Sequence, residues 1–378
     1  MNKLKKYIFF LIIFTLGGGQ IMAATNSEIM DLRIDYNVNL LHFIDHLSQW
    51  SQYTGDDAKK LYLKYFEITD QDQKMLDEYS SIRNKLGWEA EIDLFNWAYN
   101  NFTIDNQDSV RNTLKSIQDL TDLKFIIEYF SKRKSDKTNL DAILKQKFSE
   151  LSDMSAKIIN YASNVEKDIE NIKPYINIWV DEVDFSKYPV YLCFSHCENS
   201  SHGGANGPGI YSEFDMTKKE KSIGNGFNII THELLHKITS IEKSLIKFLN
   251  NENNYTESAQ GFMRKNNLDK NKLLQIFEST DPEGLGSPES KIFEEVNIYL
   301  FAPVMINSMD SIKVNKIYEQ NKSKGIKEYT RIWYGVRLFK KEFENANQSD
   351  FNKDEFIWKL IELYYEKIYF NSYCNSSP

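Results

Sequence analysis

The chain lacks the features that would place it in a membrane or on a nucleic acid. Beyond the first two dozen of its 378 residues, no stretch approaches eighteen consecutive apolar residues, so we expect no membrane span in the mature protein. Basic residues are outnumbered by acidic residues, 46 to 54, and the formal net charge is -8. A surface of this sign argues against a nucleic-acid partner.

Cysteine is also scarce, and the spacing of the three cysteines limits what they can form. Cys193 and Cys197 lie in an extended segment, where Cα atoms four residues apart are separated by roughly 13 Å, too far for a disulfide. A bridge from either of them to Cys374 remains an open alternative in an oxidising compartment. The segment has no second pair of ligands nearby, so we do not expect a metal knuckle there.

The N-terminal residues predict export. Three lysines among the first six residues precede an apolar stretch at residues 7–16, and small residues favour cleavage after Ala23 or Ala24. Residues 1–23 are therefore predicted to be a secretory signal peptide, and the mature protein to be secreted or periplasmic. Cleavage removes three lysines and no acidic residue, so the formal net charge changes from -8 to -11.

One short motif in the mature chain carries specific chemistry: Thr231-His232-Glu233-Leu234-Leu235-His236. On a helix, the two histidines lie on the same face, about 40° apart around the axis, so both can reach one ion. Glu233 is turned away from the position of a third helical ligand, but it can still reach a water on that ion. This H-E-x-x-H spacing is typical of zinc metallopeptidases, in which the glutamate is the general base.

The residues around the motif favour an amphipathic helix. The histidines lie beside an apolar stripe with spacings of three and four, which predicts one continuous helix of about six turns. Glycines at positions 224 and 226 are predicted to mark its entry, and Asn250 its exit. The alternative is a buried helix whose histidines only bond to carbonyl groups. The stripe consists of Phe227, Ile230, Leu234, Ile238, Ile241, Leu245 and Phe248.

A second pair of histidines has the same spacing. His42 and His46 are also four residues apart, but Phe43 stands where the general base would be. We therefore interpret this pair as a coincidence on a helix surface and not as a second metal site.

Zinc needs a third protein ligand besides the two motif histidines. In the metzincin pattern a glycine would stand at Thr239 and the ligand at Glu242. A β-branched threonine does not readily adopt the positive φ of that turn, so we reject this class. The other source is a glutamate on a later helix, and Ser287 followed by Pro288 predicts the start of such a helix.

Two neighbouring glutamates of that helix, Glu294 and Glu295, compete for the role of ligand. Projection of the helix places Glu295 at the border of the apolar face, between Ile292 and Tyr299, and places Glu294 nearly opposite. A ligand must be partly buried, so we favour Glu295 and keep Glu294 as the alternate. Solvent exposure of both carboxylates is the remaining alternative.

The motif and the later glutamate together resemble the gluzincin branch of zinc metallopeptidases, over roughly residues 175–305. The chain also resembles uncharacterised secreted bacterial proteins predicted to be zinc peptidases. The resemblance implies that Zn²⁺ is held by His232, His236 and either Glu295 or Glu294, with Glu233 as the general base. The second motif departs from the thermolysin-like pattern, because it has Phe-Glu-Glu-Val-Asn in place of an Asn-Glu-Ala run.

No histidine follows His236, so any further transition-state donor must be a tyrosine, an arginine or an upstream histidine. Tyr299, Tyr329 and Tyr334 are the tyrosine candidates for this oxyanion role.

The segments before the motif are consistent with a zincin core. Runs of β-branched and aromatic residues predict strands at 176–181, 188–194 and 209–215. The glycine-dense loop 201–209, which contains His202, could overhang the site and pair with an extended substrate, or form a plain hairpin loop.

We therefore predict an α+β fold that is predominantly helical, with a small sheet and the H-E-x-x-H helix in a zincin-like core. Residues 24–174 form an N-terminal helical region in this prediction, residues 175–378 the metallopeptidase domain, and further helices follow the site. The predicted function is a secreted zinc-dependent peptidase that hydrolyses peptide or protein substrates with a zinc-activated water. A secreted helical binding or adhesion protein with an inactive metal site is the first alternative, and a different zinc hydrolase is the second.

Overall fold

The chain is predominantly helical, with one small mixed sheet. A computed structural model describes the following residues: 20–22, 30–51, 54–103, 117–154, 157, 173, 176–179, 188–195, 202–205, 209–214, 219–279, 287–305, 311–345 and 352–370.

Five strands in the described part of the chain form the sheet, in the order β1-β2-β3-β5-β4. The central strands β2, β3 and β5 are parallel, and an antiparallel strand lies at each edge. β1 precedes the predicted cleavage site, so a cleaved chain would keep the other four strands. The strands are β1 Gln20–Met22, β2 Met30–Asp35, β3 Tyr188–Phe194, β4 Gly203–Gly204 and β5 Ile210–Phe214.

Helices precede and follow the sheet strands along the chain. Those before β3 are α1 Tyr36–Ser48, α2 Asp57–Leu63, α3 Asp70–Leu86, α4 Glu91–Tyr99, α5 Ile117–Ser131 and α6 Leu140–Asp153. Those after β5 are α7 Lys219–Thr239, α8 Ile241–Asn250, α9 Glu257–Lys265, α10 Lys270–Glu278, α11 Glu289–Met305, α12 Ser311–Ser323, α13 Lys327–Asn345 and α14 Lys353–Tyr364. No described helix is both long and apolar enough to cross a bilayer.

The chain forms two compact units, and their limits differ from the predicted boundary near residue 174. The first unit contains residues 1–166 and 185–233, and the second contains residues 167–184 and 234–378. The N-terminal region belongs to the sheet because β2 pairs in parallel with β3, with Met30 opposite Tyr188. The limit between the units falls inside the continuous helix α7.

In the first unit, hydrogen bonds fix α1 against the sheet. The helix begins after Asp35, whose Oδ1 accepts from the backbone N–H of Val38 at 3.0 Å. Asn39, one turn later, donates to the carbonyl of Leu192 at 3.1 Å and accepts from the backbone N–H of Phe194 at 3.0 Å. These bonds hold α1 against β3 and turn its buried face toward the sheet.

In the second unit, α11 lies in an aromatic core. Phe293 makes edge contacts with Trp179, Phe277 and Phe339, and the first residue of the helix, Glu289, is buried. A buried carboxylate needs a partner. Here Arg331 donates to both oxygens of Glu289, at 2.9 and 2.7 Å.

The predicted strand at 176–181 is wrong over its described residues. Ile176 is helical and residues 177–179 form a turn. The backbone N–H of Asn177 donates to the carbonyl of Lys173, and that of Trp179 donates to the carbonyl of Ile176, both at 2.9 Å. The other two predicted strands are confirmed as β3 and β5.

The prediction of one continuous helix through Phe248 is also wrong. α7 ends at Thr239, Ser240 adopts a left-handed conformation with φ 41° and ψ 47°, and α8 then begins. The threonine hydroxyl donates to the carbonyl of Leu235 at 2.7 Å, within the last turn. The left-handed residue thus lies one position after Thr239, where the metzincin pattern has its glycine. Glu242, at the position of the metzincin ligand, accepts a hydrogen bond from the hydroxyl of Ser290 at 2.9 Å.

Two further predictions concern the helix entry and the cysteines. The predicted entry near residues 224–226 is wrong, because α7 already begins at Lys219. Cys193 is a free, buried thiol in β3, so it forms no bridge to Cys374. Cys197, Cys374 and most of the predicted signal peptide lie outside the described residues.

Candidate metal centre

The two motif histidines and Glu295 lie close together in the structure. One ligand atom from each of His232, His236 and Glu295 lies within 4.8 Å of the other two. The histidines are one turn apart on α7, and Glu295 is in the second turn of α11. All three side chains are half-buried, which leaves the group within reach of solvent and of a substrate.

His236 lies between two carboxylates. Its Nε2 is 3.3 Å from Oε1 of Glu295, and its Nδ1 is 3.6 Å from Oε1 of Glu294. Ligand atoms at 2.0–2.1 Å around a tetrahedral ion are about 3.4 Å apart, so the first distance suits two ligands of one zinc. The contact between Nδ1 and Glu294 suits a carboxylate that orients a metal-binding histidine through the nitrogen that does not bind the ion.

The charge of the two glutamates acts on the imidazole. Burial alone lowers the pKa of His236, but hydrogen bonds and charges from Glu294 and Glu295 raise this pKa to about 10. Without a metal ion the ring is therefore protonated at neutral pH. The site holds more negative than positive charge around one imidazole, which favours a cation.

The predicted orientation of Glu294 is wrong. Projection of the helix places it nearly opposite the apolar face, but its side chain is 9% exposed and that of Glu295 is 19% exposed. Its predicted polar neighbour Asn297 is buried as well, because α11 packs against α8, α10 and α13. Both glutamates therefore face His236, one toward each ring nitrogen.

Glu233 lies near the sheet edge. It is half-buried on α7, and its charge contributes to the raised pKa of Tyr211 in β5, of which burial is the largest cause. The edge strand β4 approaches the same helix, because a Cβ added at Gly203 would come within 2.1 Å of Cγ2 of Ile229. Ile229 and Glu233 are one turn apart on one helix face.

The predicted tyrosine donors differ in their surroundings. Tyr299 is half-buried one turn after Glu295, and its ring packs on Trp333 and Tyr329. Tyr329 is 45% exposed. Tyr334 packs on the ring of Tyr318 instead. Among these three, Tyr299 has the position on α11 that best suits a role beside Glu295.

The interpretation of His42 and His46 as a surface pair is wrong. Both are buried, at 2% and 5% exposure, because α1 turns this face toward the sheet. Their Nε2 atoms lie 3.0 and 3.3 Å from Oε1 of Glu213 in β5. The three residues form a second group with ligand-type atoms within 4.8 Å of one another.

The carboxylate of Glu213 has donors on both oxygens. Besides the two imidazoles on Oε1, Oε2 accepts from the hydroxyl of Ser195 at 3.0 Å and from the backbone N–H of His202 at 3.3 Å. Burial raises the pKa of Glu213, but the bonds from His42 and His46 outweigh it and hold this pKa well below its usual range. The group is thus a buried carboxylate with its hydrogen-bond partners in place.

The hydrogen-bond network assigns the proton of His46. The backbone N–H of Gly55 donates to Nδ1 of His46 at 2.8 Å, so this nitrogen carries a lone pair. In a neutral ring the proton then lies on Nε2, which donates to Glu213. A metal ion would need the lone pair of Nε2, and the contact with Gly55 opposes that tautomer.

Sequence reasoning missed Glu213. A usable signal was present, because Glu213 is an acidic residue between aromatic residues in a predicted buried strand, and such a carboxylate needs partners. The predicted helix with His42 and His46 offered two. The sequence did not indicate that α1 would pack on β5.

Comparison with protein-family models, with curated proteins and with solved structures finds no match for this chain.

Proposed function

We propose that the protein is a secreted, zinc-dependent peptidase with a zincin-like core. The observation that carries the proposal is the approach of His232, His236 and Glu295 within 4.8 Å, with Glu233 next to the first histidine. This donor set of two imidazoles and one carboxylate suits zinc and leaves a fourth position open. A mixed sheet with an antiparallel edge strand beside the motif helix supports the zincin-like core.

Each residue has a distinct role in this proposal. His232, His236 and Glu295 would hold Zn²⁺, and Glu294 would orient His236 through Nδ1. A bound zinc ion supplies Lewis-acid polarisation of the scissile carbonyl and lowers the pKa of water. Glu233 takes a proton from the attacking water and passes it to the leaving amine. Tyr299 is the candidate donor to the developing oxyanion.

The edge strand gives the substrate a place to bind. Among the described strands β4 pairs only with β5, so its other side offers backbone groups to an extended peptide. A peptide added there would run alongside the face of α7 that carries Ile229 and Glu233. Binding of this kind selects the backbone of a peptide, which agrees with peptide-bond hydrolysis as the reaction.

The test uses the purified protein, its zinc content and hydrolysis of a diverse peptide library, beside the Glu233→Gln variant. We expect about one zinc per chain in both proteins, and a loss of hydrolysis of about 10²- to 10⁴-fold in the variant, the usual contribution of a general base. Glu257→Gln, an exposed glutamate at the start of α9, is the matched control and should change neither quantity.

The outcomes separate the proposal from its alternatives. Zinc without hydrolysis of any library peptide would support the binding or adhesion protein with an inactive metal site. Absence of zinc from the purified protein would contradict the proposed metal centre itself. Hydrolysis that persists in Glu233→Gln would show that this glutamate is not the base.

A further inference from the structure

A cavity of about 210 Å³ opens beside the buried group in the first unit. Its wall includes Asp45, Glu91, Glu213 and the edge-strand glycines Gly203 and Gly204. The volume is about seven times the 30 Å³ occupied by a liquid water and lies below the range for drug-sized ligands, so it suits one amino-acid side chain.

Carboxyl groups outnumber cations around this cavity. Arg83 donates to Asp45 at 2.7 Å and also pairs with Glu91. Burial raises the pKa of Glu91 to about 7. Even with Glu91 protonated, the two charges of Asp45 and Glu213 exceed the single charge of Arg83. The imidazole of His42 does not correct this balance, because burial lowers its pKa.

Asp45, which lines the cavity, has one carboxylate oxygen without a hydrogen-bond partner among the described residues. Oδ1 of Asp45 accepts from Tyr79 and Arg83, at 2.9 and 2.7 Å. Its Oδ2 is buried and has no hydrogen-bond partner among the described residues. A buried acceptor without a donor is costly, and a donor group on a bound ligand would remove that cost.

Aromatic rings complete the cavity. Trp50 and Trp88 line it and lie 4.6 Å apart between ring centroids, and Tyr211 lines it from the sheet. The faces of such rings attract cations, as the guanidinium of Arg83 shows at 4.3 Å above Trp50. Carboxylates beside aromatic faces form a wall that suits a flexible side chain with an apolar stem and a charged end.

The cavity adjoins the candidate catalytic residue. Gly203 lines the cavity and also faces Ile229, one turn before Glu233 on α7. Tyr211, on the sheet side of the cavity, lies close enough to Glu233 for the charge to act on its hydroxyl. A peptide paired with β4 would therefore place one of its side chains at the cavity.

We propose that this cavity binds the side chain of a lysine or arginine of the peptide substrate, next to the bond that is cleaved. The inference rests on the proposed peptidase function and adds its substrate class. The ammonium or guanidinium group meets the carboxylate of Asp45, and the alkyl stem lies along Trp50 and Trp88. A divalent metal ion is the competing occupant, and the bond from Gly55 to His46 opposes it.

Hydrolysis of matched peptides tests the proposal. The peptides are identical except for one position, which is scanned on both sides of the cleaved bond and holds lysine, arginine, norleucine or glutamate. We expect kcat/KM to be about tenfold or more higher with a basic residue than with norleucine at one position, as for a hydrogen bond to a charged group. Equal rates for lysine and norleucine at every position would overturn the inference and leave the peptidase function intact.

A variant at the cavity wall supplies the control. Thr54 lines the cavity and is half-buried, so its replacement spares the buried network around Arg83. Thr54→Lys places a competing ammonium group at the wall and should remove the preference for basic peptides. Thr54→Gln has a similar length without charge and should retain it. If both variants keep the preference, the basic side chain binds elsewhere.

A binding measurement keeps the inference testable without catalysis. Addition of N-acetyl-lysinamide to the full chain should change the fluorescence of Trp50 and Trp88, and N-acetyl-norleucinamide should not. Zn²⁺ titration is the competing arm. A second zinc per chain that is lost in Glu213→Gln and retained in Glu295→Gln would assign the cavity to a metal ion and overturn the proposal.

Discussion

The chain contains two pairs of histidines with the same spacing, and their surroundings differ. His42 and His46 share one buried carboxylate, Glu213, whereas His236 alone faces two carboxylates, Glu294 and Glu295. In the first group two rings donate to one acid. In the second, two acids surround one ring. Spacing places both pairs on a helix face, but it does not decide whether they bind a metal.

The two groups differ in the partner of the ring nitrogen Nδ1. Nδ1 of His46 accepts from the N–H of Gly55, which leaves the proton on Nε2 and turns the ring into a donor. Nδ1 of His236 faces the carboxylate of Glu294 instead, so it holds a proton and leaves Nε2 available to a metal ion. The partner of Nδ1 thus distinguishes a histidine that can bind a metal ion from one with a structural role.

The largest difference in zinc affinity is expected between a replacement of His236 and a replacement of His42. His236→Gln should reduce zinc affinity by more than about 100-fold, because His236 is a direct ligand in the proposed site. This loss exceeds the one expected for removal of an outer-shell partner. His42→Gln should leave the zinc affinity within about twofold. Competition with a zinc-sensing chelator measures both values, and similar losses in the two variants would contradict the comparison.

Removal of the shared carboxylate should mainly affect stability. Glu213→Leu leaves buried donors of His42, His46 and Ser195 without their acceptor, and we expect the free energy of unfolding to fall by about 3–5 kcal/mol. Urea denaturation followed by circular dichroism measures the change. Glu257→Leu on the surface is the control, with an expected change within about 0.5 kcal/mol.

Replacement of Glu294, the partner of Nδ1 of His236, should have a smaller effect on zinc affinity. Glu294→Gln keeps the size of the side chain but removes its charge, and we expect a loss of about 10- to 100-fold in zinc affinity or activity. Glu242→Gln on α8 is the matched control. An unchanged affinity in Glu294→Gln would mean that His236 needs no orienting carboxylate.

The smallest effect is a dependence of stability on pH. The folded-state pKa of Glu213 lies well below its usual range, so its contribution to stability is complete above the ordinary pKa of glutamate. That contribution should decline as the pH falls below 4.5, the ordinary pKa of a glutamate, toward the folded-state pKa. Glu213→Gln should weaken this acid dependence, as measured by urea midpoints from pH 7 down to 3. An identical pH profile in the variant would contradict the assigned charge.

The local parts of this structure were predictable from the sequence. Runs of β-branched and aromatic residues identified β3 and β5, and the spacing of His232 and His236 identified two of the three residues in the candidate metal group. Residues 176–179 have a similar composition but form a helical end and a turn, because neighbouring backbone groups there satisfy one another. The break at Ser240 escaped prediction, since the apolar stripe continues on both sides of it.

Contacts between distant segments were not predictable. Glu213 is far in sequence from His42 and His46, and no periodic pattern specifies which helix face meets β5. The burial of Glu294 was missed for the same reason, because the projection of one helix assumes a single buried face. α11 is buried on several sides by aromatic residues from two other helices and from the turn at residues 177–179.

Anomalous diffraction at the zinc edge, from crystals of the zinc-loaded protein, tests the central claim most directly. The account predicts one peak bonded to His232, His236 and Glu295, with His42, His46 and Glu213 still bonded to one another. A peak between the residues of the first group, or none at the second, would contradict it.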